Sequence, residues 1–144
     1  MKVKITVEAE IRPTEDEEKV RKAILNFFTP SSIRVEERGR ERVLIAEAER
    51  AEALQRLHLK LREQRILDAA RSMIMRWSSE DKVVFYLHKQ AAFMNRITFC
   101  LPEGESPLGP IKVEILESDV RAVIDWLAPP TSKGRPLFER EPPR

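Results

Sequence analysis

Residues 2–12 alternate without interruption: Val3, Ile5, Val7, Ala9 and Ile11 are apolar, while Lys2, Lys4, Thr6, Glu8, Glu10 and Arg12 are polar. Successive side chains of an extended strand point to opposite faces, so this segment reads as a strand with one buried and one wet face. Half-wet strands of this kind favour an antiparallel sheet, whose apolar face needs a second layer to cover it. The rest of the chain has to supply the partner strands and that cover.

A helix is expected next. Thr14 and Glu17 have the spacing of a capping box, and Glu15, Asp16 and Glu17 place negative charge at the positive end of a helix dipole. Val20, Ala23, Ile24, Phe27 and Phe28 form the inward stripe, and Thr29-Pro30 ends it. Residues 33–37 and 41–46 then flank Arg38-Gly39-Arg40, a three-residue connection that predicts a hairpin. Its arginines, Arg38, Arg40 and Arg42, stand beside Glu36, Glu37 and Glu41 and read as a solvated turn.

Residues 50–76 carry seven Lys or Arg against three acids, Glu52, Glu63 and Asp68, although the whole chain has a net charge of only +2. At 100° per residue Leu54, Leu57 and Leu61 share one stripe, while Ile66, Leu67, Ala70, Met73, Ile74 and Trp77 define another almost half a turn away. One straight helix cannot bury both, so a break is predicted near residues 62–64. Asp68 lies three residues from Arg65 and from Arg71 and is expected to act as their counter-ion.

The remaining chain returns to strands. Val83, Phe85 and Leu87 alternate with Val84, Tyr86 and His88, Ile97, Phe99 and Leu101 alternate with Thr98 and Cys100, and Ile111, Val113 and Ile115 form a further strand. Residues 88–94 form a short helical connection, and the prolines within residues 102–110 demand a shaped loop. Ser118 is the expected N-cap of a last helix with the stripe Val120, Val123, Ile124 and Leu127, stopped by Pro129-Pro130. The result is an α+β plan: a mostly antiparallel sheet with helices packed on one face, as one domain over residues 1–130, followed by a Pro-rich C-terminal tail over residues 131–144 whose end is expected to be mobile.

Composition narrows the setting. Charged residues make up 35%, 26 basic against 24 acidic, with only four glycines, a balance often found in thermophile proteins. Cys100, the sole cysteine, sits between Phe99 and Leu101 and is expected to be buried, which fits a reducing, cytoplasmic location. The N-terminus lacks the apolar core of a signal peptide, and no run approaches the length of a membrane span, so no membrane association is expected.

No motif names a reaction. His58 and His88 fall on different elements, Cys100 has no adjacent base, and there is no glycine-rich phosphate loop, so no catalysis, metal or cofactor is expected. The basic surface suggests phosphate contacts instead. Arg62, Gln64, Arg65, Arg71, Arg76, Lys89, Gln90 and Arg96 are the candidate RNA-binding residues, with Arg56 and Lys60 beside them. Aromatic side chains are too few for an RNA-recognition-motif strand, so RNA would be read by shape and backbone. The alternative is a homodimeric interaction or scaffold module without nucleic-acid binding, with Arg135, Leu137 and Phe138 of the tail as the partner or dimer contact.

Several blocks of the chain resemble those of an archaeal protein family of unassigned activity. They are Gln64-Arg65-Ile66-Leu67-Asp68, Lys89-Gln90-Ala91, Ser106-Pro107-Leu108-Gly109-Pro110-Ile111, and Asp125-Trp126-Leu127-Ala128-Pro129 through Gly134-Arg135-Pro136. The opening run, Val7-Glu8-Ala9-Glu10-Ile11-Arg12-Pro13-Thr14, is similar as well. That resemblance implies a fold like that of the large-subunit ribosomal protein that holds 5S ribosomal RNA, a homodimer, and structured RNA as the partner.

Overall fold

Strand β1 (Lys4–Ile11) lies at the centre of a five-stranded sheet in the computed structural model, which describes residues 3–103, 108–117 and 119–143. The sheet order is β2-β3-β1-β5-β4, with β2 (Ser32–Arg38), β3 (Glu41–Ala48), β4 (Lys82–His88) and β5 (Pro110–Leu116), and every neighbouring pair is antiparallel. Val7 stands opposite Ala46 on one side and Val113 on the other, so the apolar set of β1 continues across the sheet. Phe85 of β4 extends the same row through Val113.

Helices cover that face: α1 (Glu17–Leu25), α2 (Gln55–Glu63), α3 (Leu67–Trp77) and α5 (Val120–Leu127), with the short α4 (Lys89–Phe93) beside α1. A 3-10 turn at Ala51–Leu54 leads into α2. Phe27, Phe28, Leu54, Leu57, Leu61, Ile74, Phe85 and Trp126 are fully buried between the layers. Each such side chain contributes about 1.5–3 kcal/mol relative to exposure. The antiparallel α+β plan with one helical layer is therefore the one the alternation of β1 demands.

The break in the basic stretch is present, slightly later than expected. Helix α2 ends at Glu63, and Arg65 takes φ 58°. The Ile66 N–H donates to Leu61 O and the Arg65 N–H to Arg62 O, the two bonds of a Schellman turn. The same pair closes α4, where Arg96 N–H donates to Ala91 O, Asn95 N–H donates to Ala92 O, and Asn95 has φ 64°. Asparagine visits this left-handed region readily, whereas an arginine there is strained.

Other local expectations need correction. The N-cap of α1 is Asp16, which accepts from Glu18 N–H; the carboxylate of Glu15 accepts instead from the Arg12 N–H, so Thr14 sits in the turn before the helix. The β2–β3 connection is Gly39-Arg40, because Arg38 and Glu41 already pair. Residues 97–101 are not a strand: they touch β4 through a single bridge, Leu87–Phe99, with backbone bonds from His88 to Thr98 and from Cys100 to Tyr86. Ser118 lies outside the described residues, and the Asp119 carboxylate caps α5 by accepting from Ala122 N–H. Ser106 and Pro107 of the shaped loop also lie outside them. The tail is ordered into a hairpin of β6 (Thr131–Ser132) and β7 (Arg135–Pro136), turned by Lys133 and Gly134, both at positive φ.

Candidate nucleic-acid interface

Half of the expected RNA-contacting side chains are committed inside the protein. Helix α5 is followed by Pro129 and Pro130, which have no N–H to offer its last carbonyls. Arginines supply the donors. Arg62 Nη1 donates to Leu127 O (3.0 Å) and His58 O (2.8 Å), Nη2 donates to Trp126 O (3.2 Å), and the guanidinium grips both oxygens of Glu139 in the tail at 2.8 and 2.6 Å. Arg71 Nη1 donates to Ala128 O (3.0 Å) and to Asp125 Oδ1 (2.9 Å). Two cations thus sit at the negative end of the α5 dipole. Asp68 is not the expected counter-ion of Arg65 and Arg71: it accepts the Thr131 hydroxyl, and Arg71 is drawn to Asp125 of α5 instead.

Lys89 and Gln64 are internal too. Lys89 is 3% exposed, and its ammonium donates to Glu10 O, Leu108 O and the Glu15 carboxylate. Burial pushes its pKa down, while the Glu15 carboxylate pulls it back up. Gln64 pairs with the backbone of Ile97 in both directions, its amide donating to the Ile97 carbonyl and accepting from the Ile97 N–H, each at 2.8 Å. This clamp joins the Schellman turn after α2 to the one after α4. Arg65 and Arg96, the residues next to the clamp in each chain segment, are exposed and have no side-chain partner among the described residues.

Four cations on the open face of the sheet are neutralised by glutamates beside them. Lys4 meets Glu47, Arg34 bonds Glu36 and Glu47, Arg38 reaches Glu8 and Glu36, and Lys112 meets Glu114. The hydrogen bonds from Arg34 hold the Glu36 and Glu47 carboxyls below the usual carboxylate range. Arg42 similarly binds Glu17.

The helical face is different. On α1, Lys19 and Lys22 lie over the Phe93 ring of α4, at 5.9 and 4.8 Å from its centroid, and neither has a carboxylate partner among the described residues. Asn26 ties the same two helices by donating to Ala92 O and Phe93 O. On α2, Arg56 donates to Leu25 O (2.9 Å) and Lys60 to Asn95 O (3.1 Å), contacts that position each cation without cancelling its charge. A groove lined by Asn26, Arg56, Lys60, Glu63 and Asn95 connects them. Glu63 is the acid at its rim. Lys19, Lys22, Arg56, Lys60, Arg65 and Arg96 therefore form one cationic layer, to which exposed Gln90 adds an uncommitted amide.

Of the sequence candidates, this face contains Arg65, Gln90 and Arg96. Arg76 is elsewhere, its guanidinium 5.1 Å from the Trp77 ring centroid, and Trp77 meets Tyr86 edge-on at 5.9 Å. Lys19, Lys22 and Phe93 escaped sequence reasoning because nothing local reveals that α4 packs on α1. The tail residues Arg135 and Leu137 are exposed, and Phe138 carries Arg140 over its ring at 4.8 Å. His58 stacks on Trp126 at 5.1 Å, and burial lowers its pKa. Among the described residues no three His, Cys, Asp or Glu come together as a metal site, and no helix is long and apolar enough to cross a membrane.

Comparison with known proteins matches a family model described as RNA binding to residues 4–116, which span the sheet and the cationic helical face. A UPF0201 protein of Metallosphaera sedula is 50% identical over 140 residues, covering 97% of each chain, and one of Aeropyrum pernix is 50% identical over 99% of this chain and 95% of its own. The crystal structure of a UPF0201 protein from Methanococcus jannaschii superposes with a TM-score of 0.83 at 32% identity, over 94% of this chain and 99% of that one. With the RNA binding model covering most of its length and half its residues shared with such relatives, the chain belongs to the archaeal UPF0201 family.

Proposed function

We propose that this protein binds structured RNA through the α1–α2–α4 face, by phosphate contacts and without catalysis. The observation that carries the reading is a difference in how cations are held: Lys4, Arg34, Arg38 and Lys112 on the open sheet face are paired with glutamates, while Lys22, Arg56 and Lys60 on the helical face are held by an aromatic ring or by carbonyls, with Arg21 of α1, paired to Glu17 and Glu18, as the exception. An unpaired, positioned cation attracts phosphate without first giving up a carboxylate. The RNA binding description of the matched family supports the same partner. Binding without chemistry fits the state of the reactive groups: Cys100 is buried, His58 is covered by Trp126, and Lys89 donates to three oxygens.

The test is the salt dependence of affinity. Six phosphate contacts give a log–log slope of about −4 to −5, and Lys60→Ala is expected to reduce it by about one. Affinity for structured RNA that ignores salt would contradict the reading.

A second reading, a homodimer in which the tail contributes the contact, is favoured by one observation: Leu137 is 61% exposed beside Phe138. Mass in solution before and after Leu137→Ser separates the two, because only a tail-mediated dimer changes mass.

A further inference from the structure

The cationic face opens at one end into a pocket of about 330 Å³ between the start of α1 and α4, walled by Thr14, Glu15, Asp16, Lys19, Gln90 and Phe93. That volume is at the small end of ligand sites. Its chemistry is not that of a phosphate site. Two carboxylates, Glu15 and Asp16, line it together with the ammoniums of Lys19 and Lys89, so it holds no surplus of positive charge for an anion. Glu15 is neutralised from within, accepting from the Lys89 ammonium and the Arg12 N–H. Asp16 uses Oδ1 to cap α1 and leaves Oδ2 uncommitted. A group presenting N–H donors is favoured at Asp16, and a flat one is favoured against the Phe93 ring.

Resting on the RNA-binding reading, we infer that this pocket receives one unpaired nucleobase bearing an exocyclic amino group, while its flanking phosphates stay outside on Lys19 and Lys22. A base stacks on the Phe93 ring by taking the place of the Lys19 and Lys22 ammoniums, 5.9 and 4.8 Å from its centroid, which turn outward to the flanking phosphates. The Asp16 carboxylate accepts from the amino group of adenine, cytosine or guanine, and the Gln90 amide, free of other partners among the described residues, donates or accepts at the neighbouring edge position. Uracil is disfavoured, since the one N–H of its pairing edge lies between two carbonyl oxygens that face the carboxylate unfavourably. The sequence-independent hold of the cationic layer thus acquires a local preference for which loop or bulge is seated.

The test uses the full chain and RNA hairpins that differ only in one unpaired loop position, occupied by adenine, cytosine, guanine or uracil, with 2-aminopurine there as a stacking reporter. Amino-bearing bases are expected to bind about tenfold more tightly than uracil, and 2-aminopurine fluorescence is expected to be quenched. Asp16→Asn keeps a good helix cap while removing the charge, so it should erase the base preference and leave the salt slope intact. Gln90→Ala, at an exposed side chain without hydrogen bonds, should weaken the preference without altering melting, and Phe93→Leu should abolish the quenching. Salt-dependent binding that is blind to the loop base and to all three variants would overturn the pocket alone. Failure of every hairpin to bind would overturn both the pocket and the face it opens on.

Discussion

Replacing Arg62 with alanine should destabilise the fold and leave RNA affinity unchanged. Its guanidinium is the donor for the Trp126 and Leu127 carbonyls, which the following prolines cannot serve. Each charge-assisted bond is worth about 1.5 kcal/mol here, the low end for a charged donor, since the side chain is 17% exposed and water can partly replace it. The His58 carbonyl is within the same helix and adds little. Glu139 is 48% exposed, so its pairing with Arg62 is screened and contributes at most about 1 kcal/mol. The sum is about 3–4 kcal/mol, and at about 3 °C per kcal/mol for a chain of this size the melting temperature should fall by about 10 °C. Thermal unfolding followed by circular dichroism, with RNA titration well below the transition, measures both quantities. A variant that melts like the wild type but loses RNA affinity would refute the assignment of Arg62 as the C-terminal cap of α5.

Three other perturbations have defined outcomes. Arg65→Gly should relieve the left-handed strain at φ 58°, raising stability by about 1 kcal/mol while weakening RNA binding; a loss of stability in urea titration would contradict it. Lys89→Met strands the Glu15 carboxylate, whose side chain is 10% exposed, and should cost about 3–5 kcal/mol, so an unchanged urea midpoint would be decisive against it. His58 has a folded pKa held below its unfolded value of about 6.5 by burial, so the unfolded chain binds the proton first: stability is full above that pH and declines as pH falls below it. Melting curves between pH 8 and pH 5 should therefore be flatter for His58→Phe than for the wild type, and equal slopes would count against this account.

The parts of this protein legible in its sequence are those set by local periodicity. The alternation in β1 gave its inward face, and the two out-of-phase leucine and isoleucine stripes located the break between α2 and α3 to within a few residues. Caps were less legible because Thr14 and Asp16 are both competent to start α1, and only geometry selects between them. Residues 97–101 alternate like a strand, but the Gln64 clamp on Ile97 and the Schellman turn at Asn95 leave them only a bridge to β4. The charge excess over residues 50–76 was a true feature with a misleading meaning: Arg62 and Arg71 answer the carbonyls of a helix more than fifty residues away, a pairing no local pattern reveals. The cationic layer that remains depends on α1, α2 and α4 meeting, so Lys19, Lys22 and Phe93 acquire significance only in three dimensions.

The central claim is that RNA meets the helical face and not the sheet. Two triple variants test it directly in the same RNA titration over a salt series: Lys22, Lys60 and Arg96 to alanine, and Lys4, Arg34 and Lys112 to alanine. The first is expected to shallow the log–log slope by about 2 to 3, and the second, whose cations are already paired, to leave it unchanged. A slope that responds to the sheet variant and ignores the helical one would contradict the account.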